Sequence, residues 1–175
     1  TAQGLSKSYG SLEIFTDVDL AIDRGSRVVI LGLNGAGKTT LLRMLAGVTT
    51  PDTGEVTYGH GAKVGYFAQE HEILEGDRSV LENMKSAAPD LDETRVRTIL
   101  GSFLFSGDDV EKPAGVLSGG EKTRLSLATL VASQANVLLL DEPTNNLDPA
   151  SRAEILHALH QYEGAIVMVS HDEGA

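Results

Sequence analysis

The chain has 175 residues, of which 14 are Lys or Arg and 25 are Asp or Glu, so its formal charge is −11. This acidic balance argues against a domain that holds nucleic acid by bulk electrostatic attraction, because that mode of binding requires clustered basic side chains. It leaves open a local basic patch or a partner surface on another chain. The absence of cysteine excludes disulfides, thiolate metal sites and cysteine nucleophiles. It fits a reducing compartment, and we expect a cytoplasmic protein.

The first half of the chain alternates short apolar runs with turns and helical patterns. The predicted elements are a strand pair with a turn at 13–22, a buried strand at 26–31, a helix at 38–46 closed by Gly47, a turn at 51–54 and short strands at 55–58 and 63–67. No run of about 18 apolar residues is present, so we expect no direct membrane insertion.

The second half begins with a polar, acidic stretch and then returns to apolar runs. The predicted elements are helices at 79–87, 92–101, 118–133 and 150–162 and buried strands at 137–140 and 165–169. Short apolar strands separated by helices predict an α/β fold with a mostly parallel sheet that is covered on both faces. We expect 70–116 to form a helical subdomain inserted into this core.

A glycine-rich loop lies between the predicted strand at 26–31 and the helix that follows. Residues 32–39 read Gly-Leu-Asn-Gly-Ala-Gly-Lys-Thr and fit the pattern G-x-x-x-x-G-K-[ST] in the context it needs. Glycines let backbone N–H groups surround phosphate oxygens, and the helix amino terminus adds a favourable dipole. Lys38 supplies a charge for the terminal phosphates, and the hydroxyl of Thr39 is suited to Mg²⁺.

Two acidic residues end the apolar run at 137–140. Asp141 is expected at the carboxyl end of a buried strand, where ligands of open α/β folds bind. We expect it to hold Mg²⁺ and expect the next residue, Glu142, to orient or deprotonate an attacking water. The alternative is an ordinary solvated pair of acids at the end of a strand.

A short polar motif precedes the helix predicted at 118–133. Ser118 is a natural N-cap, and Gly119 and Gly120 leave backbone N–H groups open to an anion. Alone, this segment indicates only a capped helix. We expect Lys122 and Arg124 to form a solvated face of the helix, with contact to RNA as a less favoured role.

Taken together and in order, these motifs resemble the nucleotide-binding domain of ATP-binding-cassette (ABC) proteins over essentially the whole chain. The matching segments are Tyr9 as the adenine-stacking aromatic, 32–40 as Walker A, Gln69 as the Q-loop, 117–121 as the signature, 137–142 as Walker B, 146–148 as the D-loop and His171 as the switch histidine. The resemblance implies the P-loop ATPase fold, with an antiparallel β subdomain and an inserted helical subdomain. It also implies that 1–175 is a single cassette, which we expect to be clipped at both ends.

The resemblance further implies ATP and Mg²⁺ as cofactors and assigns roles to named residues. The implied catalytic residues are Glu142, His171 and Gln69, and the implied metal ligands are Thr39, Gln69 and Asp141. The implied nucleotide contacts are Tyr9, Asn34, Gly35, Ala36, Gly37, Lys38, Thr39, Thr40, Ser118, Gly119, Gly120 and Asp148. In the family each ATP lies between the Walker A loop of one cassette and the signature of another. A second cassette, in the same protein or as a dimer, is therefore an implied partner.

The class of cassette is indicated by Glu121, where transport cassettes usually have glutamine, and by the sequence Pro-Thr-Asn-Asn-Leu-Asp at 143–148. Both features resemble the ABC-F subfamily, whose soluble two-cassette members act on the ribosome as translation or antibiotic-protection factors. The ribosome or its RNA is thus a candidate partner. The alternatives are the ATPase subunit of a membrane transporter, a chromosome- or repair-type ATPase, and a nucleotide-gated clamp with little hydrolysis. The repair-type alternative is disfavoured because no sustained heptads separate Lys38 from Asp141.

Overall fold

The computed structural model describes residues 1–9, 12–20, 27–31, 35–48, 50–58, 62–67, 74–133 and 135–170. The chain divides into two compact units. The first consists of Thr1–Tyr66, Asn136–Glu142 and Gly164–Ala175, and the second of Phe67–Ala135 and Pro143–Glu163. No helix within the described ranges combines the length and the apolar character that crossing a bilayer requires.

The first unit contains two sheets and one helix. Its elements are β1 (Ala2–Tyr9), β2 (Leu12–Leu20), β3 (Arg27–Leu31), α1 (Gly35–Leu45), β4 (Thr53–Val56), β5 (Val64–Phe67), β6 (Val137–Asp141) and β7 (Ala165–Ser170). One sheet has the order β2-β1-β4 and is antiparallel, and the other has the order β3-β7-β6-β5. Within the second sheet, β7 pairs in parallel with both β3 and β6. The predicted α/β class, with a parallel sheet and an antiparallel β region, is confirmed.

The strand pair predicted at 13–22 is wrong. Leu12–Leu20 form one strand, and its partner is the upstream segment Ala2–Tyr9. The sequence conceals β1 because Gly4, Ser6 and Ser8 interrupt any apolar alternation, so the periodicity on which the prediction depended is absent there. The strand predicted at 55–58 also begins earlier, at Thr53, and Gly54 adopts a φ of +86° within it.

Helix α1 begins at Gly35, earlier than the predicted residue 38, and ends at Leu45, one residue before the predicted end, with Gly47 closing it as expected. Gly47 has a φ of +80°, and its N–H donates to the carbonyl of Met44 at 3.1 Å while the N–H of Val48 donates to that of Arg43 at 2.9 Å. This pair of bonds is a Schellman motif, which glycine favours because it has no Cβ. The helix packs its apolar face against the parallel sheet in a core formed by Leu41, Leu42, Met44, Leu45, Leu139, Val167 and Val169.

The second unit is helical. Its elements are α2 (Val80–Ala87), α3 (Glu93–Ser102), short 3₁₀ turns at Gly107–Glu111 and Ala114–Val116, α4 (Gly119–Ala132) and α5 (Pro149–His160). Each of the four α-helices begins after a polar N-cap whose side chain accepts a backbone N–H from the first turn: Ser79, Asp92, Ser118 and Asp148. All four helices were predicted, and their ends agree to within two residues. The 3₁₀ turns were not predicted.

A short backbone ladder joins the segment before α2 to the segment before α4. The N–H groups of Val80, Ala114 and Gly115 donate to the carbonyls of Lys112, Arg78 and Gly76, each at 2.9 Å. A Cβ on Gly115 would lie 2.9 Å from the carbonyl oxygen of Gly76, which is closer than real Cβ contacts allow. The two segments approach this closely because Gly115 has no Cβ.

Candidate functional site

In the first unit, three strands end side by side at one edge of the parallel sheet. Leu31, the last residue of β3, pairs with Ser170 at the end of β7, and Val169 pairs with Asp141 at the end of β6. Neighbouring strands lie about 5 Å apart. Strand β3 precedes the predicted phosphate loop, β7 precedes His171, and β6 carries Asp141. The ends of these three strands therefore lie side by side, within a few ångströms of the same position along the strand direction. This is the edge at which open α/β sheets bind ligands.

The amino end of α1 follows β3 at this edge. The helix starts at Gly35, so Lys38 and Thr39 lie in its first turns, and the side chain of Thr40 is buried. The first N–H groups of a helix have no partner within it, and together with the helix dipole they attract anions. The amino end of α1 therefore supplies the N–H groups unpaired within the helix and the helix dipole with which the glycine-rich motif is expected to bind phosphate.

Glu142 follows β6 with a strained backbone. Its φ is +49°, and within the described residues Leu104 is the other non-glycine position with a positive φ. The N–H of Glu142 donates to the carbonyl of Val169 at 2.8 Å. A left-handed conformation costs an L-residue roughly 1–2 kcal/mol. Such outliers persist where the surroundings impose them, and they cluster at active sites. The residue we expect to be the catalytic base is thus turned sharply out of its strand.

In the second unit, Ser118 and Glu121 form a reciprocal capping box at the start of α4. The Oγ of Ser118 accepts the N–H of Glu121 at 3.2 Å, and the Oε1 of Glu121 accepts the N–H of Ser118 at 3.0 Å. The bond from the Ser118 N–H is the main reason that the pKa of the Glu121 carboxyl is lowered, with a smaller contribution from the charge of Arg124. The hydroxyl proton of Ser118 stays available to an acceptor outside the helix.

The two glycines that follow Ser118 keep their N–H groups for other partners. Gly119 and Gly120 occupy the first two positions of α4, where a helix provides no acceptor. Neither N–H has a partner among the described residues. Ser118 and Gly119 are exposed and Gly120 is half-buried. This first turn can therefore receive an anion from outside the unit.

The segment 144–148 packs against the same turn of α4. A Cβ on Gly120 would lie 3.3 Å from the carbonyl oxygen of Asn146, and the Oγ1 of Thr123 donates to the Oδ1 of Asn146 at 3.0 Å. At the end of the segment, the Oδ1 of Asp148 accepts the N–H of Ser151 at 2.7 Å and caps α5. That bond is the main reason that the pKa of the Asp148 carboxyl is lowered.

The prediction that Arg124 belongs to a solvated face is wrong. Its guanidinium Nη1 lies 3.3 Å from each of the carbonyl oxygens of Phe103 and Leu104, to which it donates. The guanidinium carbon also lies 5.1 Å from the centre of the Phe105 ring, within range of a cation–π interaction. Arg124 therefore ties α4 to the chain that leaves α3. Amphipathic spacing could not show this, because the acceptors are backbone atoms.

Several predicted site residues lie outside the described part of the chain: Asn34, Gln69 and His171. Tyr9 is the last residue of β1. Their roles stay predictions. The structure adds Thr123, which sequence reasoning did not place in the site, and gives contacts to Glu121 and Asn146, which the motif match placed in the signature and the D-loop without a role. The spacing of Ser118 and Glu121, S-x-x-E, could have identified the capping box.

Comparison with known proteins identifies the family. The model of the ABC transporter family matches residues 15–145. The chain is 44% identical over 172 residues to the probable ATP-binding protein YbiT of Escherichia coli O157:H7, covering 97% of this chain and 32% of that protein. It is 40% identical over 174 residues to the energy-dependent translational throttle protein EttA of Haemophilus influenzae, covering 97% and 31%. The chain thus spans about a third of the curated relatives it matches.

Solved structures agree on the fold. A putative ABC transporter ATP-binding protein from Pyrococcus furiosus superposes with a TM-score of 0.86 at 25% identity, covering 98% of this chain and 90% of that one. The ATP-binding cassette MJ0796, in a dimeric post-hydrolysis state bound to ADP and phosphate, gives a TM-score of 0.82 at 23% identity, covering 99% and 88%. The chain belongs to the ABC family and is an ABC ATP-binding cassette that most resembles those of ABC-F proteins.

Proposed function

We propose that this cassette binds and hydrolyses MgATP at a site that a second cassette completes, as part of an ABC-F type protein that acts at the ribosome. The observation that carries the ATP assignment is the shared edge of β3, β7 and β6. There the first turns of α1 with Lys38 and Thr39 follow one strand, and Asp141 and Glu142 end another.

The residues at this edge fit Mg²⁺ and a triphosphate. Asp141 offers a carboxylate and Thr39 a hydroxyl, and both are hard oxygen donors of the kind that Mg²⁺ prefers. Among the residues that the structure describes, no group of three or more His, Asp or Glu side chains could hold a metal ion. The nucleotide phosphates would supply further oxygen ligands to the cation, as is common for Mg²⁺. When bound, it would neutralise developing charge on the phosphates.

The protein's own groups divide the remaining work. Lys38 and the amides at the start of α1 bind phosphate oxygens, and Glu142 orients the attacking water and takes its proton. His171 and Gln69 contribute beside the terminal phosphate. A base of this kind is worth about 10²- to 10⁴-fold in rate. The strained backbone of Glu142 supports its assignment, because conformations of this kind cluster at active sites.

The first turn of α4 is the part of this chain that we expect to contact the nucleotide bound by the second cassette. Ser118, Gly119 and Gly120 present one hydroxyl and two backbone N–H groups that the chain itself leaves available. We expect them to bind the terminal phosphate held by the other cassette. We expect Asp148 to lie at the same interface between the two cassettes. MJ0796, which has the same fold and is dimeric in a post-hydrolysis state bound to ADP and phosphate, supports the pairing of two cassettes.

The ABC-F role rests on similarity to curated relatives. Identities of 40–44% over nearly the whole chain connect it to YbiT and EttA, and the name of EttA describes energy-dependent throttling of translation. The transporter alternative is weaker, since the transporter-type structures agree at only 23–26% identity.

Glu142→Gln provides the test. The amide keeps the shape of the side chain but cannot accept the proton, so we expect MgATP binding with turnover reduced at least about a hundredfold and accumulation of paired cassettes. If Glu142→Gln turned over ATP at the parent rate, Glu142 would not be the catalytic base. If the parent itself did not turn over ATP, the alternative of a nucleotide-gated clamp with little hydrolysis would be favoured. Co-sedimentation of the MgATP-loaded variant with ribosomes is the second measurement. Absence from the ribosome fraction would count against the ABC-F role.

A further inference from the structure

Thr123 makes a hydrogen bond that joins two separate parts of the second unit. Its side chain lies on the inner face of α4 and is 2% exposed, and its Oγ1 donates to the Oδ1 of Asn146 at 3.0 Å. The two residues are 23 positions apart in the chain. A buried hydroxyl that loses its partner is costly, so this contact holds Asn146 to the helix.

Asn146 packs against the turn of α4 that contains the signature glycines, Gly119 and Gly120. A Cβ on Gly119 would lie 3.5 Å from its Nδ2, and one on Gly120 would lie 3.3 Å from its carbonyl oxygen. The distance at Gly119 is an ordinary contact, whereas the one at Gly120 is tight, so Gly120 has a packing role beside its expected phosphate contact. Any shift of Asn146 would change the space available to the turn.

The segment around Asn146 is also held at its carboxyl end. Leu147 is buried and its N–H donates to the carbonyl of Thr144 at 3.2 Å, while Asp148 caps α5 through Ser151. The bond from Thr123 adds a side-chain connection from this segment to α4. Together these contacts make 144–148 and the first turn of α4 one packed body.

We infer that Thr123 is a positioning residue. Its bond to Asn146 fixes 144–148 against α4 and thereby sets where Gly119 and Gly120 present their N–H groups to the terminal phosphate on the second cassette. This role rests on the proposed function, because it concerns the same composite site. It differs from the roles of Ser118 and Asp148, since Thr123 acts through Asn146 and does not touch the nucleotide.

Thr123→Val tests the inference, because valine has nearly the same shape and no hydroxyl. Thr123→Ser restores the donor. Thr129→Val is the matched control: Thr129 is also buried on α4, but its Oγ1 donates to the carbonyl of Ser126 at 2.6 Å within the same helix. For each full-chain variant we would measure backbone hydrogen exchange at 118–121 and 144–148 without nucleotide, the dissociation constant for MgATP, and kcat.

Thr123→Val is expected to speed exchange at both segments and to lower kcat, each roughly 2- to 10-fold, as for the loss of one hydrogen bond. Its dissociation constant for MgATP should not change. Thr123→Ser should restore both quantities, and Thr129→Val should alter neither. Unchanged exchange in Thr123→Val, or an equal fall of kcat in Thr129→Val, would overturn the inference.

The two proposals fail separately. A parent chain without measurable turnover would defeat the proposed function, and the exchange measurement would then decide whether Thr123 places the signature turn. Faster exchange in Thr123→Val together with normal kcat in a hydrolysing parent would leave the proposed function intact and overturn the positioning role.

Discussion

Ser118 and Glu121 satisfy each other's backbone: the serine Oγ accepts the glutamate N–H at 3.2 Å, and the glutamate Oε1 accepts the serine N–H at 3.0 Å. This reciprocity leaves two glycine N–H groups as the open donors of the turn. It also explains how an acidic side chain can stand beside an expected phosphate site. The carboxylate is engaged by Ser118 and lies in the first turn of a helix, where the dipole favours negative charge.

The first prediction concerns the stability of this turn. Ser118→Ala removes the side-chain acceptor for the Glu121 N–H and should lower the free energy of unfolding by about 0.5–2 kcal/mol, the usual effect of losing an N-cap. Urea denaturation followed by circular dichroism would measure it. Ser102→Ala is a comparison at an exposed serine in the last turn of α3, whose Oγ donates to the carbonyl of Thr98 at 3.3 Å and caps no helix start. An equal loss at both positions would contradict the capping role of Ser118.

The second prediction is a dependence on pH. Because the pKa of Glu121 is lower in the folded chain than its ordinary value of about 4.3, its contribution to stability is complete above that value and is lost as the pH falls through the folded pKa. Glu121→Gln does not titrate. The difference in unfolding free energy between parent and variant should therefore be constant near neutral pH and shrink below about pH 4. A difference that grows on acidification would have the wrong sign.

The third prediction separates backbone strain at Glu142 from its chemistry. Glycine accepts a positive φ without penalty, whereas alanine does not, and both substitutions remove the carboxylate. The free energy of unfolding of Glu142→Gly should be roughly 0.5–1 kcal/mol higher than that of Glu142→Ala, so the glycine variant is the more stable. The reason is that relief of backbone strain exceeds the entropic cost of ordering glycine on folding. Denaturant melts of the two variants provide the comparison. If Glu142→Ala is the more stable, the left-handed backbone at this position is not imposed by the fold.

The fourth prediction concerns nucleotide affinity. Lys38→Ala should weaken binding of MgATP at least about tenfold, because a charge-assisted hydrogen bond to phosphate is lost. Equilibrium titration with a fluorescent ATP analogue would measure this. Lys85→Ala removes the same charge from an exposed lysine whose Nζ lies 3.0 Å from Glu93 Oε1, and it should leave affinity unchanged. Equal weakening in both variants would show that the loss of net charge, and not the loss of a contact between Lys38 and phosphate, lowers the affinity.

Features with a local cause were predictable from the sequence. Gly47 ends α1 and Ser118 begins α4 because each residue satisfies a helix terminus with its own backbone or side chain. The buried strand at 137–141 was visible as an apolar run. The family motifs followed from fixed spacings, so their order along the chain could be identified without a structure.

Features that depend on distant partners were not predictable. The pairing of β1 with β2 involves a strand whose polar residues give no periodic signal. The bond between Thr123 and Asn146 joins residues far apart in the chain, and either side chain alone is compatible with a solvated position. Arg124 binds carbonyl groups, which no side-chain pattern records.

The contact between Gly76 and Gly115 has an evolutionary consequence. The ladder there consists of main-chain atoms, so the residues along both segments could be exchanged over generations without loosening it. A Cβ at Gly115 would push the segments apart, whereas one at Gly76 would lie 3.4 Å from the Cα of Gly115, an ordinary contact. Among relatives of this cassette, we would therefore expect glycine to persist at the position of Gly115 while the residues around it vary.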